Sequence, residues 1–336
     1  MKNELHKLSR CAVIGHGSWA TALVNVLTMN EPNVIWYVRN PEVLESLRTE
    51  GHNCRYLSDV EIDMTRICLC DNLNEAVSQA DILFLVTPAA YLKSYLSDLQ
   101  VSLKDKFVVS AIKGIIFDEN QFVTDYLKKT YSLSGAQVCF ISGPTHAEEV
   151  GHGRLTYMSL ACSNVGRARV VGEKLKTPFL KMSYVRNMRY LERSSVLKNI
   201  YAVMVGMAVG LGYGDNFISV LVSNCIKEMY YLLDPHSVND LTKFMPSNFF
   251  GDLLVSCYSS HSRNRQLGVL IGRGNTVKTA LNEMTMVAEG YFASRYFRYL
   301  PAEQRKQMPI ADMVYQVLHE NQPVRKVMKD LESVLT

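Results

Sequence analysis

Lys198 and Asn199 stand in the stretch Val196-Leu-Lys198-Asn199-Ile-Tyr-Ala-Val-Met-Val-Gly206-Met-Ala-Val-Gly210, where nearly every other residue is apolar. An ammonium entering such a helix is costly unless a carboxylate meets it, and burial lowers its pKa into a range useful for proton transfer. A lysine at a helix mouth instead snorkels to water and does no chemistry, and the sequence alone fits either reading. A second polar point is Gly251-Asp252-Leu-Leu-Val-Ser256, whose Asp252 and Ser256 share a helix face. Asp252 suits an N-cap as well as a catalytic acid. A third is Ser262-Arg263-Asn264-Arg265, ahead of Gly268 and Gly272-Arg-Gly274. A guanidinium beside an amide and glycine-rich backbone makes a phosphate or carboxylate clamp, or else a charged surface turn.

Near the start lies Cys11-Ala-Val-Ile-Gly15-His-Gly17-Ser-Trp-Ala20-Thr-Ala-Leu23. Its first four residues read as a buried strand, followed by Gly-x-Gly-x-x-Ala and an apolar helix. Gly15 suits the tight turn, Gly17 a close approach to a pyrophosphate, and Ala20 the packing of helix on sheet. The amides at such a helix start form an anion site. A second strand, Val34–Val38, ends at Arg39-Asn40. An acid at that place would accept bonds from the ribose of NAD; Arg39 instead suits a 2′-phosphate, a stack on adenine, or solvent.

These groups need elements to carry them. Ile67–Cys70, Asp81–Val86, Phe107–Ile112 and Val138–Ile141 read as further strands, with helices at Glu42–Glu50 and Asn74–Ala80. Strand-helix alternation predicts a parallel sheet with ligands outside the carboxyl ends of its strands. The glycine loop, Thr87-Pro88, Lys113-Gly114 and Ser142-Gly143-Pro144 all fall there. Thr156–Cys162 and Phe179–Tyr184 are strand-like, with a helix from Asn164 to Lys176 between them. After Glu192 the period turns helical, over Ser195–Leu211, Phe217–Leu233, Gly251–His261, Thr276–Tyr299 and Met313–Leu318, with no convincing strand. The expected fold is an α/β Rossmann-type parallel-sheet domain over 1–189 and an all-helical catalytic domain over 190–336.

Composition narrows the class of protein. An apolar share of 48% and a charged share of 20% describe a globular chain. A net charge of +4 over 336 residues gives no argument for nucleic acid or a membrane surface. Eight cysteines without a Cys-x-x-Cys, four of them in apolar strand-like runs, suit a reducing cytosol. The polar start, Met1–Arg10, has no signal-peptide pattern, and the apolar run Ile200–Leu211 suits a buried helix better than a bilayer span. A cytoplasmic protein without a metal centre is expected.

Taken together, these motifs resemble the bacterial NAD(P)-dependent glycerol-3-phosphate dehydrogenases. The likeness is carried by Gly15–Leu23, Ser110-Ala-Ile-Lys113-Gly114 and Ser142-Gly-Pro-Thr-His-Ala-Glu-Glu-Val150. It continues through Leu197-Lys198-Asn199, Gly251-Asp252-Leu, Ser262-Arg263-Asn264, Val287-Ala-Glu289-Gly290 and Met308-Pro309-Ile310. The resemblance implies reduction of dihydroxyacetone phosphate to sn-glycerol 3-phosphate, the glycerophospholipid precursor, with NADH or NADPH, by a homodimer. It implies that Lys198 exchanges the proton, with Lys113 and Asp252 beside it. It places substrate against Lys113, Gly143, Ser256, Arg263 and Asn264. It places the cofactor against Gly15, Gly17, Ser18, Trp19, Arg39, Pro88, Lys113, Ala147, Arg263 and Glu289.

Several positions depart from the family's usual pattern. Arg193-Ser194-Ser195 stands where a glycine pair is common, Phe217 where an arginine is common, and Ser256 where a threonine is common. His16 and Ala20 are unusual in the first loop. Ser247-Asn248-Phe249-Phe250 replaces small residues before Gly-Asp, and its two rings are expected to narrow the pocket or to alter regulation. Two other readings stay open by sequence. One is a related lysine-dependent β-hydroxyacid or sugar-phosphate dehydrogenase; the other is a nucleotide-binding sensor without catalysis.

Overall fold

The computed structural model describes residues 8–233 and 247–336. They form two compact units. One runs through Ile112 and resumes over Val123–Arg189; the other comprises Lys113–Phe122 and the chain from Tyr190 onward. Residues Lys113–Phe122, numbered within the first span, thus belong to the second unit.

Ten strands occur among the described residues: β1 Cys11–Ile14, β2 Val34–Tyr37, β3 Ile67–Cys70, β4 Ile82–Leu85, β5 Phe107–Ser110, β6 Ile115–Ile116, β7 Gln121–Phe122, β8 Val138–Ser142, β9 Thr156–Ala161 and β10 Leu180–Val185. Eight make the sheet of the first unit, in the order β10-β9-β8-β5-β4-β1-β2-β3. The strands β1, β2, β4, β5 and β8 are buried throughout, as strands covered on both faces must be. From β3 to β8 all pairings are parallel. The sheet is parallel as expected except at the other edge, where β9 runs antiparallel to β8. The chain doubles back at Gly143 and lies against its own return: a Cβ there would come 2.6 Å from the Tyr157 carbonyl oxygen. The helix Val165–Leu175 then crosses over to β10, which pairs parallel with β9.

The second unit is built on the helix Met188–Leu211. Its length and composition would suit a membrane span, but 83% of its apolar window is buried within the fold. It starts upstream of the expected Ser195, so Lys198 sits well inside it. From Tyr190 onward the described residues form helices and no strand, as expected; the unit's strands are β6 and β7, a small antiparallel hairpin contributed by Lys113–Phe122. Ile115 and Phe122 of that hairpin join the helical core. Thr276–Tyr299 is not one helix. It divides into Val277–Glu283, Glu289–Ser294 and a 3-10 turn Arg295–Tyr299. The break places the Gly290 N–H on the Asn264 side chain at 2.8 Å.

Two contacts fix the helices. Gly206 and Gly210 face Gly268 and Gly272 of the helix Arg263–Gly272 so closely that main chain touches main chain. A Cβ on Gly268 would lie 2.0 Å from the Val203 oxygen, and one on Gly206 would lie 2.1 Å from the Arg265 oxygen. Elsewhere Glu228, buried on the helix Asp215–Leu233, accepts bonds from Ile310 N (2.6 Å) and Ala311 N (3.2 Å). It caps the helix Pro309–His319, whose own N-cap side chain makes no capping bond. Burial pushes the Glu228 carboxyl up to about 8, against the pull of those two amides and of Tyr201.

Gly268→Ala is expected to lower stability by about 2–3 kcal/mol through forced separation of the two helices. Urea unfolding would measure it; an unchanged midpoint would show that the contact is not tight.

Candidate active site

In the first unit, the glycine loop follows β1 beside the end of β4, where the strand order reverses. Gly15 takes φ +136, and a Cβ there would lie 2.2 Å from the Val86 oxygen, so only glycine fits. Trp36 Nε1 donates to the Gly15 carbonyl at 2.7 Å, and Asn53 Nδ2 to the His16 carbonyl at 2.9 Å. The helix Ser18–Thr28 begins with Gly17 as N-cap, has no side-chain cap, and has open space where a Cβ of Gly17 would stand. Thr87 Oγ1, at the end of β4, is buried without a hydrogen-bond partner among the described residues. A tight glycine turn, an uncapped helix start and an orphaned hydroxyl fit a dinucleotide's pyrophosphate. Ser18 is buried here and Trp19 and Pro88 are partly exposed; Ala147 opens the helix Ala147–Gly151. Gly143 also lies in this unit, packed on Tyr157.

Arg39 does not simply face solvent. Its guanidinium lies 3.8 Å from the centre of the Tyr95 ring, and Nη1 donates to the Ser94 carbonyl at 3.1 Å.

The second unit brings together Lys113, Lys198, Asp252 and Ser256. Lys198 is 5% exposed, so it does not snorkel to water. Its ammonium donates to Asp252 Oδ1 at 2.5 Å and to Ser256 Oγ at 2.8 Å. Lys113 donates to Asp252 Oδ2 at 3.2 Å. Both carboxylate oxygens therefore serve the lysines. Asp252 is no N-cap: it begins the helix Asp252–Tyr258, and the capping position is Gly251. A π-helical turn, Ser247–Gly251, leads into it. Phe249 of that turn is buried against Tyr190, with ring centroids 5.6 Å apart, so it is a core residue and not a wall of a pocket. Asn199 Nδ2 donates to the Lys113 carbonyl at 3.1 Å and holds the hairpin segment beside the lysine helix. Two ammonium groups share one carboxylate, which leaves the cluster positive. Burial and the neighbouring Lys198 draw the Lys113 ammonium down to about 8, although Asp252 opposes them.

Arg263 and Asn264 occupy the first turn of the helix Arg263–Gly272, capped by Ser262. This is ordered helix, not a loose surface turn. Its first turn carries Arg263 and Arg265 and no acid, although the helix dipole disfavours cations there. An anion at that end would remove the conflict. The bond from Gly290 N fixes Asn264 Oδ1, so the Nδ2 donor is the end turned elsewhere. Glu289 lies in the first turn of the helix Glu289–Ser294.

Trp36, Asn53 and Tyr95 were not singled out by their motifs. Only the absence of an acid after β2 hinted that this corner is unusual.

Comparison with known proteins gives a consistent picture. Residues 10–168 match the family model described as NAD-dependent glycerol-3-phosphate dehydrogenase N-terminus, and residues 188–329 match the corresponding C-terminus. The chain is 32% identical over 327 residues to a glycerol-3-phosphate dehydrogenase [NAD(P)+] of Staphylococcus haemolyticus, covering 96% of this chain and 98% of that one. A protein of the same name from Chlorobium phaeobacteroides is 31% identical, covering 96% and 97%. In fold, the chain is similar to the crystal structure of glycerol-3-phosphate dehydrogenase from Coxiella burnetii, with a TM-score of 0.87 at 23% identity, covering 97% and 99%.

Removing the carboxylate tests the cluster. Asp252→Asn should cost about 3 kcal/mol at neutral pH, because buried ammonium is left uncompensated. A Lys198→Met/Asp252→Asn double variant should recover part of that loss in a urea titration. Equal stability of the single and double variants would show that the two residues are not coupled.

Proposed function

Because the chain belongs to the NAD-dependent glycerol-3-phosphate dehydrogenase family, its reaction is the NAD(P)H-dependent reduction of dihydroxyacetone phosphate to sn-glycerol 3-phosphate, and we propose that Lys198 delivers the proton. The observation that carries this assignment is the buried Lys198–Asp252 pair with Lys113 on the other carboxylate oxygen. The bound dinucleotide supplies the hydride. As the carbonyl carbon is reduced, negative charge builds on its oxygen, and a positive cluster stabilises that charge. An ammonium has three N–H donors. Asp252 and Ser256 receive two from Lys198, and we assign the third to the substrate oxygen.

Lys113 adds the second positive charge, and Asp252 orients both lysines. Arg263 and the Asn264 amide bind the substrate phosphate at the positive end of their helix, and that remote binding holds the reacting carbon in place. Gly143 and Glu289 are assigned to the substrate and cofactor sides respectively, on the strength of the family motifs. The eight free cysteines support a cytoplasmic setting, and the family resemblance supports a homodimer.

Mixing the protein with dihydroxyacetone phosphate and following the loss of NADH or NADPH absorbance tests the reaction directly. Lys198→Ala should lose about two to four orders of magnitude in kcat, with nucleotide affinity close to wild type. Near-normal turnover would remove Lys198 from the chemistry. The pH profile tests Lys113. Its charge is present below about 8 and lost as pH rises through that value, so kcat/KM for reduction should fall on the alkaline side. Lys113→Arg should move that fall to higher pH. An alkaline limb at the same pH in both proteins would assign it to another group.

A further inference from the structure

We propose that Tyr95, backed by His16, is the positioning residue that presents Arg39 to the 2′-phosphate of NADP(H) and thereby sets the preference for the phosphorylated cofactor. The proposal rests on the dinucleotide reading of the glycine loop and goes beyond it to a residue outside the fingerprint.

Arg39 is exposed, yet its guanidinium is held from two sides. The Tyr95 ring lies 3.8 Å beneath it, and Ser94 accepts from Nη1 through its carbonyl at 3.1 Å and its hydroxyl at 3.4 Å. One short helix, Leu92–Tyr95, supplies both restraints. The ring is itself fixed. Tyr95 is 7% exposed, Tyr37 of β2 meets it edge-on at 6.4 Å, and its hydroxyl shares a 2.9 Å hydrogen bond with His16 Nδ1. His16 stands between the two fingerprint glycines, and its carbonyl is pinned by Asn53. Burial, with Arg39 and Arg55 nearby, pushes the imidazole down to about 4, so this support is neutral at physiological pH. The brace therefore runs from the glycine loop to the guanidinium through a continuous chain of side-chain contacts.

The surroundings favour an anion. The residues at the exit of β2, Arg39 and Asn40, include no acid. Asn40 Oδ1 is engaged by Val43 N at the start of the next helix, and the Glu42 carboxylate is paired with Arg55. A planar guanidinium stacked on an aromatic face keeps an edge of N–H donors matched to phosphate. Ordering it before binding reduces the entropy lost when the phosphate arrives.

Calorimetric titration of the full chain with 2′,5′-ADP and with 5′-AMP isolates the 2′-phosphate contribution. Wild type should bind 2′,5′-ADP about tenfold tighter or more, as a charge-assisted contact gives. Arg39→Ala should abolish the difference. Tyr95→Leu should reduce it about three- to tenfold through loss of the stack, with AMP affinity unchanged. Tyr95→Phe, which keeps the ring and loses the His16 bond, should lose less than Tyr95→Leu. An undiminished ratio in Tyr95→Leu, equal weakening of both ligands, or a wild type without preference would overturn the proposal. The ratio is read without substrate, so it decides on Tyr95 even in a sample that turns over no dihydroxyacetone phosphate.

Discussion

An ammonium group buried in an apolar helix must be met by a carboxylate, and the second unit is arranged around that requirement. Lys198 comes from the interior of the helix Met188–Leu211, where it is almost wholly withdrawn from solvent. Asp252 comes from a helix that a π-helical turn brings into place. Lys113 comes from a hairpin far away in sequence and takes the remaining carboxylate oxygen. Breaking any of these contacts leaves a charge without compensation. The same imbalance of two ammonium groups to one carboxylate makes the cluster receptive to an oxygen that gains negative charge during reduction.

Around this cluster, polar side chains repeatedly fasten distant stretches of main chain. Asn199 holds the Lys113 carbonyl, Asn264 holds the Gly290 amide, and Glu228 holds the amides of Ile310 and Ala311. In the first unit Trp36 and Asn53 hold the carbonyls of Gly15 and His16. Each bond satisfies a backbone group that no helix or sheet ladder would satisfy at that point. Each also removes freedom from a loop or helix start that bears a functional group. Such loops owe their shape to side chains from elsewhere in the chain as well as to their own glycines.

That division explains what could be read in the sequence. The glycine fingerprint, the buried strands and the apolar helix around Lys198 declare themselves through local pattern, and the order of motifs along the chain revealed the family. Periodicity located β9 but not its direction, because an antiparallel return depends on where the chain doubles back after Gly143. The run from Thr276 to Tyr299 has helical composition throughout, yet it breaks where Asn264 draws on the Gly290 amide, a contact from another helix. The hairpin that carries Lys113 into the second unit is only two residues wide on each side, below the length at which alternation can be seen. Phe249 looked like a pocket wall because it replaces the small residues usual before Gly-Asp, whereas its partner Tyr190 lies far off in sequence. The Tyr95–Arg39 stack left no local signal at all.

Where Gly206 and Gly268 cross, the two helices already touch through their backbones, so nothing remains to be trimmed between them. Lys198 lies upstream of this crossing on one helix, and Arg263 and Asn264 lie upstream of it on the other. The crossing fixes the spacing of the two helices that carry Lys198, Arg263 and Asn264, the residues we propose for the proton and the phosphate. Any side chain introduced there meets the facing backbone and pushes the helices apart. Drift at these glycines can therefore only widen the spacing of the two helices and never narrow it.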